Sequence, residues 1–353
     1  MAFYQGTNND RTHVSKRTLF LVTLFILCAL SPMGCCLFPW ASTFKKDATS
    51  SKSSFKKSSL QTWIEPSTGM AFMWIPGGSF LMGQSDIEQR ELIEALGEAR
   101  YRQWYGSELP RHEVSIDGFW IGKYEVTRGE FKKFLQSASY QPTALKSGWS
   151  WCMTHQLERK DGANFEKPGF DQGDRHPIVH VSWLDAMAMA EWLNNVSSGE
   201  FRLPTEAEWE FAARGGAASV RFWGEASENA CEFANGYDIS SSVKRGFLWP
   251  HHACRDGFSE TAPVGSFKPN GYGVYDILGN VSEWCLDGFE KEAYRNHAFK
   301  NPETSHGGGT RVIRGGGWYS APADMRLSVR RSACPATTDD ALGFRLVRIA
   351  KIE

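Results

Sequence analysis

Short apolar runs bracketed by glycine constrain this chain more than any other feature. Strand-like pieces at residues 72–75, 113–116, 119–121 and 342–349 are separated by turns such as Pro76-Gly77-Gly78 and Arg314-Gly315-Gly316-Gly317. No regular strand–helix–strand rhythm joins them, so the pattern indicates an α+β domain rather than a doubly wound sheet. A total of 34 Gly and 14 Trp in 353 residues favours an irregular, loop-rich fold anchored by large aromatics over a helical bundle. Three helices are legible. The first spans about 127–137, with Phe131 and Phe134 on one face, and the second about 183–194. The third opens at Thr205, where Glu208 three residues on completes a capping box, and ends at Arg214 before Gly215-Gly216.

The N-terminus has a different character. Arg11, Lys16 and Arg17 precede an apolar run over 19–30, which Ser31, Pro32 and Gly34 break. That is the pattern of a secretory signal, and the run falls short of the ~20 apolar residues a spanning helix needs. Gly34-Cys35 resembles the end of a bacterial lipobox, which makes Cys35 the candidate lipidation site. A lipoprotein, an uncleaved anchor and plain secretion stay open as readings. Residues 1–40 are therefore expected to form a signal peptide or membrane anchor, 41–61 a Ser/Lys-rich linker and 62–351 one domain. The chain is expected to be exported and membrane-anchored, with that domain outside the cytoplasm. The 39 Lys and Arg nearly balance the 40 Asp and Glu, which argues against nucleic acid as a partner.

A series of blocks then appears in order. They include Pro110-Arg111-His112, Lys123-Tyr-Glu-Val-Thr127, His176-Pro-Ile-Val-His180 and Arg202-Leu-Pro-Thr-Glu-Ala-Glu-Trp209. Further on stand Asn270-Gly-Tyr-Gly-Val-Tyr-Asp276, Gly279-Asn-Val-Ser-Glu283-Trp284, Arg314-Gly-Gly-Gly-Trp318 and Leu342-Gly-Phe-Arg345. In these blocks the chain resembles the formylglycine-generating enzyme family, also called the sulfatase-modifying factor family, over roughly 62–348. The resemblance implies an irregular α+β fold related to C-type lectin domains, with little regular secondary structure.

The resemblance also implies two structural calcium sites. One uses side chains of Asp276 and Glu283 with carbonyls of Gly279 and Val281. The other uses side chains of Asn235 and Asp256 with carbonyls of Gly236 and Phe258. Hard oxygen donors in flexible turns suit calcium. Read without the family, the same turns are equally well a pair of Asx turns. Cys231 and Cys254 bracket the Asn235 site and are expected to form a disulfide, as export permits. Cys152 with Cys334 is a second possible pair, and Cys285 beside Trp284 is expected to be a buried thiol. His176 and His180 are four apart, but Pro177 lies between them, so packing or hydrogen bonding is expected rather than metal binding.

Family enzymes bind copper(I) through two cysteines that follow the Arg-Gly-Gly block, since a soft ion needs thiolate. Here the first of those positions is Ser320. Straight counting puts the second at Met325, and no Cys occurs between Gly317 and Ala333. Copper is therefore not expected. Tyr319, Asp324, Arg326 and Arg330 remain as a candidate cleft. Arg326 and Arg330 would share a face if their stretch is helical; they would then either bind an anionic or peptide ligand or brace the fold inward. Two functions follow. One is a membrane-tethered binding or accessory domain for a peptide, glycan or protein. The alternative is a metal-dependent oxidoreductase with a site rebuilt from residues such as His112, His155, His251 or His252.

Overall fold

The computed structural model describes residues 60–305 and 309–349. The expected signal, Cys35 and nearly all of the expected linker lie outside the described residues. Among the described residues no helix is long and apolar enough to cross a membrane.

Two sheets organise the domain. The larger runs Thr62–Ile64, Ala71–Ile75, Phe119–Gly122, Val347–Ile349 and Glu200–Arg202, every neighbour antiparallel. It pairs a strand from the start of the domain with one from its end, through Phe119–Gly122. The second sheet runs Arg331–Ala333, Arg311–Arg314, Ser282–Gly288 and Leu342–Gly343, and only the last pair is parallel. Two antiparallel pairs stand apart: Gly78–Met82 with His112–Ile116, and Trp149–Met153 with Leu157–Asp161.

The expected 342–349 strand is in fact two strands, one in each sheet. The cause is Arg345 between them. Its guanidinium is drawn inward to Glu283 and to the Gly122 carbonyl, so the chain bends from one sheet to the other.

The three expected helices are present as Arg128–Ala138, Trp183–Val196 and Glu206–Arg214. Each opens on a capping box, Thr127 with Glu130, Ser182 with Asp185 and Thr205 with Glu208. Every residue of Glu206–Arg214 is buried, which makes it the central helix. Trp209 on it belongs to one core with Phe211, Ile277 and Leu278, while Trp284 sits in a second core with Phe72, Phe131 and Phe344. Helices Asp86–Leu96 and Glu98–Tyr105 were not anticipated, although Ser85 and Glu88 carry the same capping-box signature.

Cys231 and Cys254 form the expected disulfide. Cys285 is a buried free thiol, also as expected. Cys152 and Cys334 are not bridged: Cys152 is buried on its strand, whereas Cys334 is exposed beyond Arg331–Ala333.

Candidate functional site

Ser320 sits in a tight turn after Arg314–Trp318. Its Oγ accepts the Gly317 N–H at 2.9 Å, and its own N–H donates to the Gly317 carbonyl at 2.8 Å. Beside it, the Tyr319 hydroxyl donates to Asp339 Oδ1 at 3.1 Å, and Trp249 Nε1 donates to the Tyr319 carbonyl at 3.0 Å. Burial, then Asp339 and Asp340, raise the Tyr319 pKa well above its ordinary value. Met325 is a core residue: a Cβ at Gly236 would collide with its Sδ, so the thioether fills space that only glycine leaves.

The rest of the expected cleft lies elsewhere. Residues 326–330 are not helical, so Arg326 and Arg330 do not share a helix face. Arg326 is buried and donates to Glu108 through both terminal nitrogens (2.9 and 3.0 Å), to Glu88 at 3.1 Å and to the Ala323 carbonyl at 2.7 Å. Arg330 donates to both oxygens of Glu206 at 2.7 Å and to the Ser107 carbonyl at 3.0 Å. Both guanidinium groups are therefore saturated from inside and brace the fold; neither is free for an anionic ligand. Asp324 accepts from Tyr105 at 3.1 Å and from Arg331. Burial is the largest single effect and works against its ionised form, but Arg331, the Tyr105 hydrogen bond and Arg326 together hold the carboxyl below its ordinary value.

The sites expected to hold calcium differ from one another. At the first, Asn235 is buried and its Oδ1 has no hydrogen-bond partner. Asp256 Oδ1 accepts the Phe258 N–H at 2.7 Å, while its Oδ2 is buried and unpartnered. Burial, then the neighbouring Asp238 carboxylate, push the Asp256 pKa up to about 8 against the Phe258 N–H. Two buried acceptor oxygens without a protein partner, on neighbouring loops, are a donor set whose chemistry fits a hard cation such as calcium.

At the second, Asp276 Oδ2 accepts the Gly265 N–H at 2.7 Å and Oδ1 is unpartnered. Glu283, however, receives Arg345 on both oxygens (2.6 and 2.7 Å) and Trp209 Nε1 at 2.8 Å. Glu125, absent from the expected set, lies against this turn and accepts from Asn280 Nδ2 at 2.7 Å and the Val281 N–H at 3.0 Å. Burial, then Asp276 and Glu283, raise the Glu125 pKa well above its ordinary value. The fit to calcium is therefore partial here.

The histidines do not converge. His176 bonds Thr261 at 3.1 Å, His180 bonds Ser150 at 2.7 Å, and His112 bonds His297 at 3.1 Å. His251 and His252 bond the carbonyls of His252 and Ser227 at 2.9 and 3.2 Å. Among the described residues, no group of three or more His, Cys, Asp and Glu side chains could hold a metal. Any cation at the first site thus depends on its amide and main-chain oxygens as well as its carboxylates.

The model of the sulfatase-modifying factor enzyme 1-like domain matches residues 61–350. The formylglycine-generating enzyme of Streptomyces coelicolor is 32% identical over 305 residues, covering 79% of this chain and 89% of that protein. The inactive C-alpha-formylglycine-generating enzyme 2 of Mus musculus is 30% identical over 304 residues, covering 78% and 84%. Among solved structures, PvdO from Pseudomonas aeruginosa superposes with a TM-score of 0.65 at 28% identity, covering 82% of this chain and 97% of that one. Together with the fold and the ordered blocks, these matches show that the chain belongs to the sulfatase-modifying factor family, the family of the formylglycine-generating enzymes.

Proposed function

We propose that this protein is an exported, membrane-tethered member of the family that lacks the copper thiolate pair and works as a calcium-braced binding or accessory domain. The observation that carries this reading is Ser320. The resemblance puts it at the first cysteine position of the family enzymes, and its oxygen is tied to the Gly317 N–H. A hydroxyl in that arrangement offers no soft ligand to copper(I). The buried free thiols do not replace it. Burial, then Asp340 and Asp339, push the Cys152 thiol up to about 12, and burial raises Cys285 well above its ordinary value. Thiols so disposed stay protonated and inert. Similarity to a relative named as inactive is consistent with this reading. The partner is a peptide, glycan or protein met outside the cytoplasm.

Calcium bracing has a direct test. Stripping the protein with EDTA lowers the melting temperature by several degrees and added calcium restores it, because a ligand that binds only the folded state stabilises it by mass action. Differential scanning calorimetry checks this, and an unchanged melting temperature would rule out the bracing role.

A further inference from the structure

We propose that the edge of the larger sheet at Thr62–Ile64, with the turns carrying Lys123, Tyr124 and Tyr275, is a surface that lies against an anionic lipid membrane. This rests on the membrane-tethered reading above and specifies which face of the domain meets the lipid.

Thr62–Ile64 is the outermost strand of that sheet. Ile64 on it and Leu60 just before it are 53% and 58% exposed. The backbone joins them into one patch. Ile64 pairs with Ala71, whose carbonyl accepts the Lys123 N–H at 2.7 Å. The Lys123 carbonyl in turn accepts the Tyr275 N–H at 3.0 Å. Two residues before Tyr275, Leu60 Cδ1 lies 3.1 Å from the place a Cβ on Gly273 would take, so the circuit closes on Leu60. Lys123 Nζ stands 5.4 and 5.3 Å from the ring centroids of Tyr124 and Tyr275, which are 5.2 Å apart. Among the described residues no carboxylate pairs with this ammonium. Exposed aliphatics, half-buried tyrosines and a lysine on a long stem suit the boundary between headgroups and acyl chains.

The preceding chain selects lipid over a protein partner. Leu60 is where the domain joins residues 42–59, which bring Lys45, Lys46, Lys52, Lys56 and Lys57 against Asp47. Positive charge is thus concentrated along the chain next to the exposed aliphatics, and its sign complements an anionic leaflet. Residues 40 and 60 can stand no more than about 70 Å apart, the fully extended limit. A face linked that closely to a surface engages it through contacts too weak to hold an unlinked molecule.

The test is hydroxyl-radical footprinting, read by mass spectrometry, on the full chain reconstituted into vesicles of phosphatidylcholine with or without phosphatidylglycerol. Val243 and Leu248, 76% and 101% exposed on helix Ile239–Arg245 and just after it, serve as internal references. The expected result is that oxidation of Leu60 and Ile64 relative to these references falls about threefold or more on the anionic vesicles, whose charge attracts the basic segment. An unchanged ratio would overturn the inference, as would protection of Val243 and Leu248 instead. Protection that vanishes when the chains are diluted on the vesicles would make the cover a second copy of this chain, which also overturns it. A chain that floats with neither kind of vesicle would instead overturn the membrane-tethered reading itself.

Discussion

Replacing Arg314 with methionine is expected to destabilise the domain by about 3–5 kcal/mol, the usual cost of breaking one partner out of a buried ion pair. Arg314 lies at the centre of a solvent-free network. It bonds Glu210 through Nη2 and lies 3.5 Å from Glu206. The same guanidinium donates to the carbonyls of Leu327, Ser328 and Val329 at 2.8–3.0 Å, which fixes the turn carrying Arg326 and Arg330. Arg214 takes the other oxygen of Glu210 at 2.6 Å, and Arg330 takes both of Glu206. Without Arg314, Glu210 keeps one oxygen unpaired and three buried carbonyls lose their donor. In R314M/E210Q the orphaned carboxylate is gone, while Arg214 keeps only an amide oxygen as partner, so the double variant should lose less than the two single losses combined. Urea unfolding at pH 7 measures both. A loss below about 1 kcal/mol for R314M would contradict the role assigned to this network.

Acidification is expected to weaken the fold through His180. This ring is wholly buried, with Nδ1 toward Ser150 and Nε2 toward the Pro168 carbonyl at 3.3 Å. Those partners assign the proton to Nε2. Burial, against the Pro168 hydrogen bond, pushes its pKa down to about 4 from the ordinary 6.5. The unfolded chain therefore takes up a proton below pH 6.5 that the folded chain refuses until about pH 4. Stability is full above pH 6.5, falls across that window and levels off below it, a loss of about 3 kcal/mol at most. Asp287 and Asp339 act in the opposite sense, because burial raises their pKa values to about 7 and about 6. The His180 contribution is therefore read as the difference between wild type and H180N, asparagine being tolerant of the positive φ of 58° at this position. The difference in unfolding free energy between the two should shrink or reverse between pH 6.5 and 4; parallel profiles would show that His180 is not the group concerned.

Much of this architecture was legible before any coordinates. Capping boxes are local, so Thr205 with Glu208 announces its helix from four residues; Thr127 with Glu130 and Ser182 with Asp185 carry the same signal at the start of the other two. The same signature stands at Ser85-Asp-Ile-Glu88, where it opens the helix Asp86–Leu96. The split of 342–349 was not legible, since it depends on Arg345 meeting Glu283 from 62 positions away. The site shows the same division. That the resemblance puts Ser320 where the family enzymes carry a thiol is legible in the sequence alone. Its tie to the Gly317 N–H is not. Inward bracing by Arg326 and Arg330 is one of the two readings the sequence offers, and the structure bears it out; which carboxylates receive them is not legible, since Glu108 and Glu206 lie on distant segments.

The most direct measurement of the central claim is elemental analysis of the untagged protein purified without chelator. The account predicts calcium bound near stoichiometry, with neither copper nor iron. One equivalent of copper or iron, accompanied by oxygen consumption with a thiol substrate, would contradict it and restore an oxidase reading to the turn around Ser320.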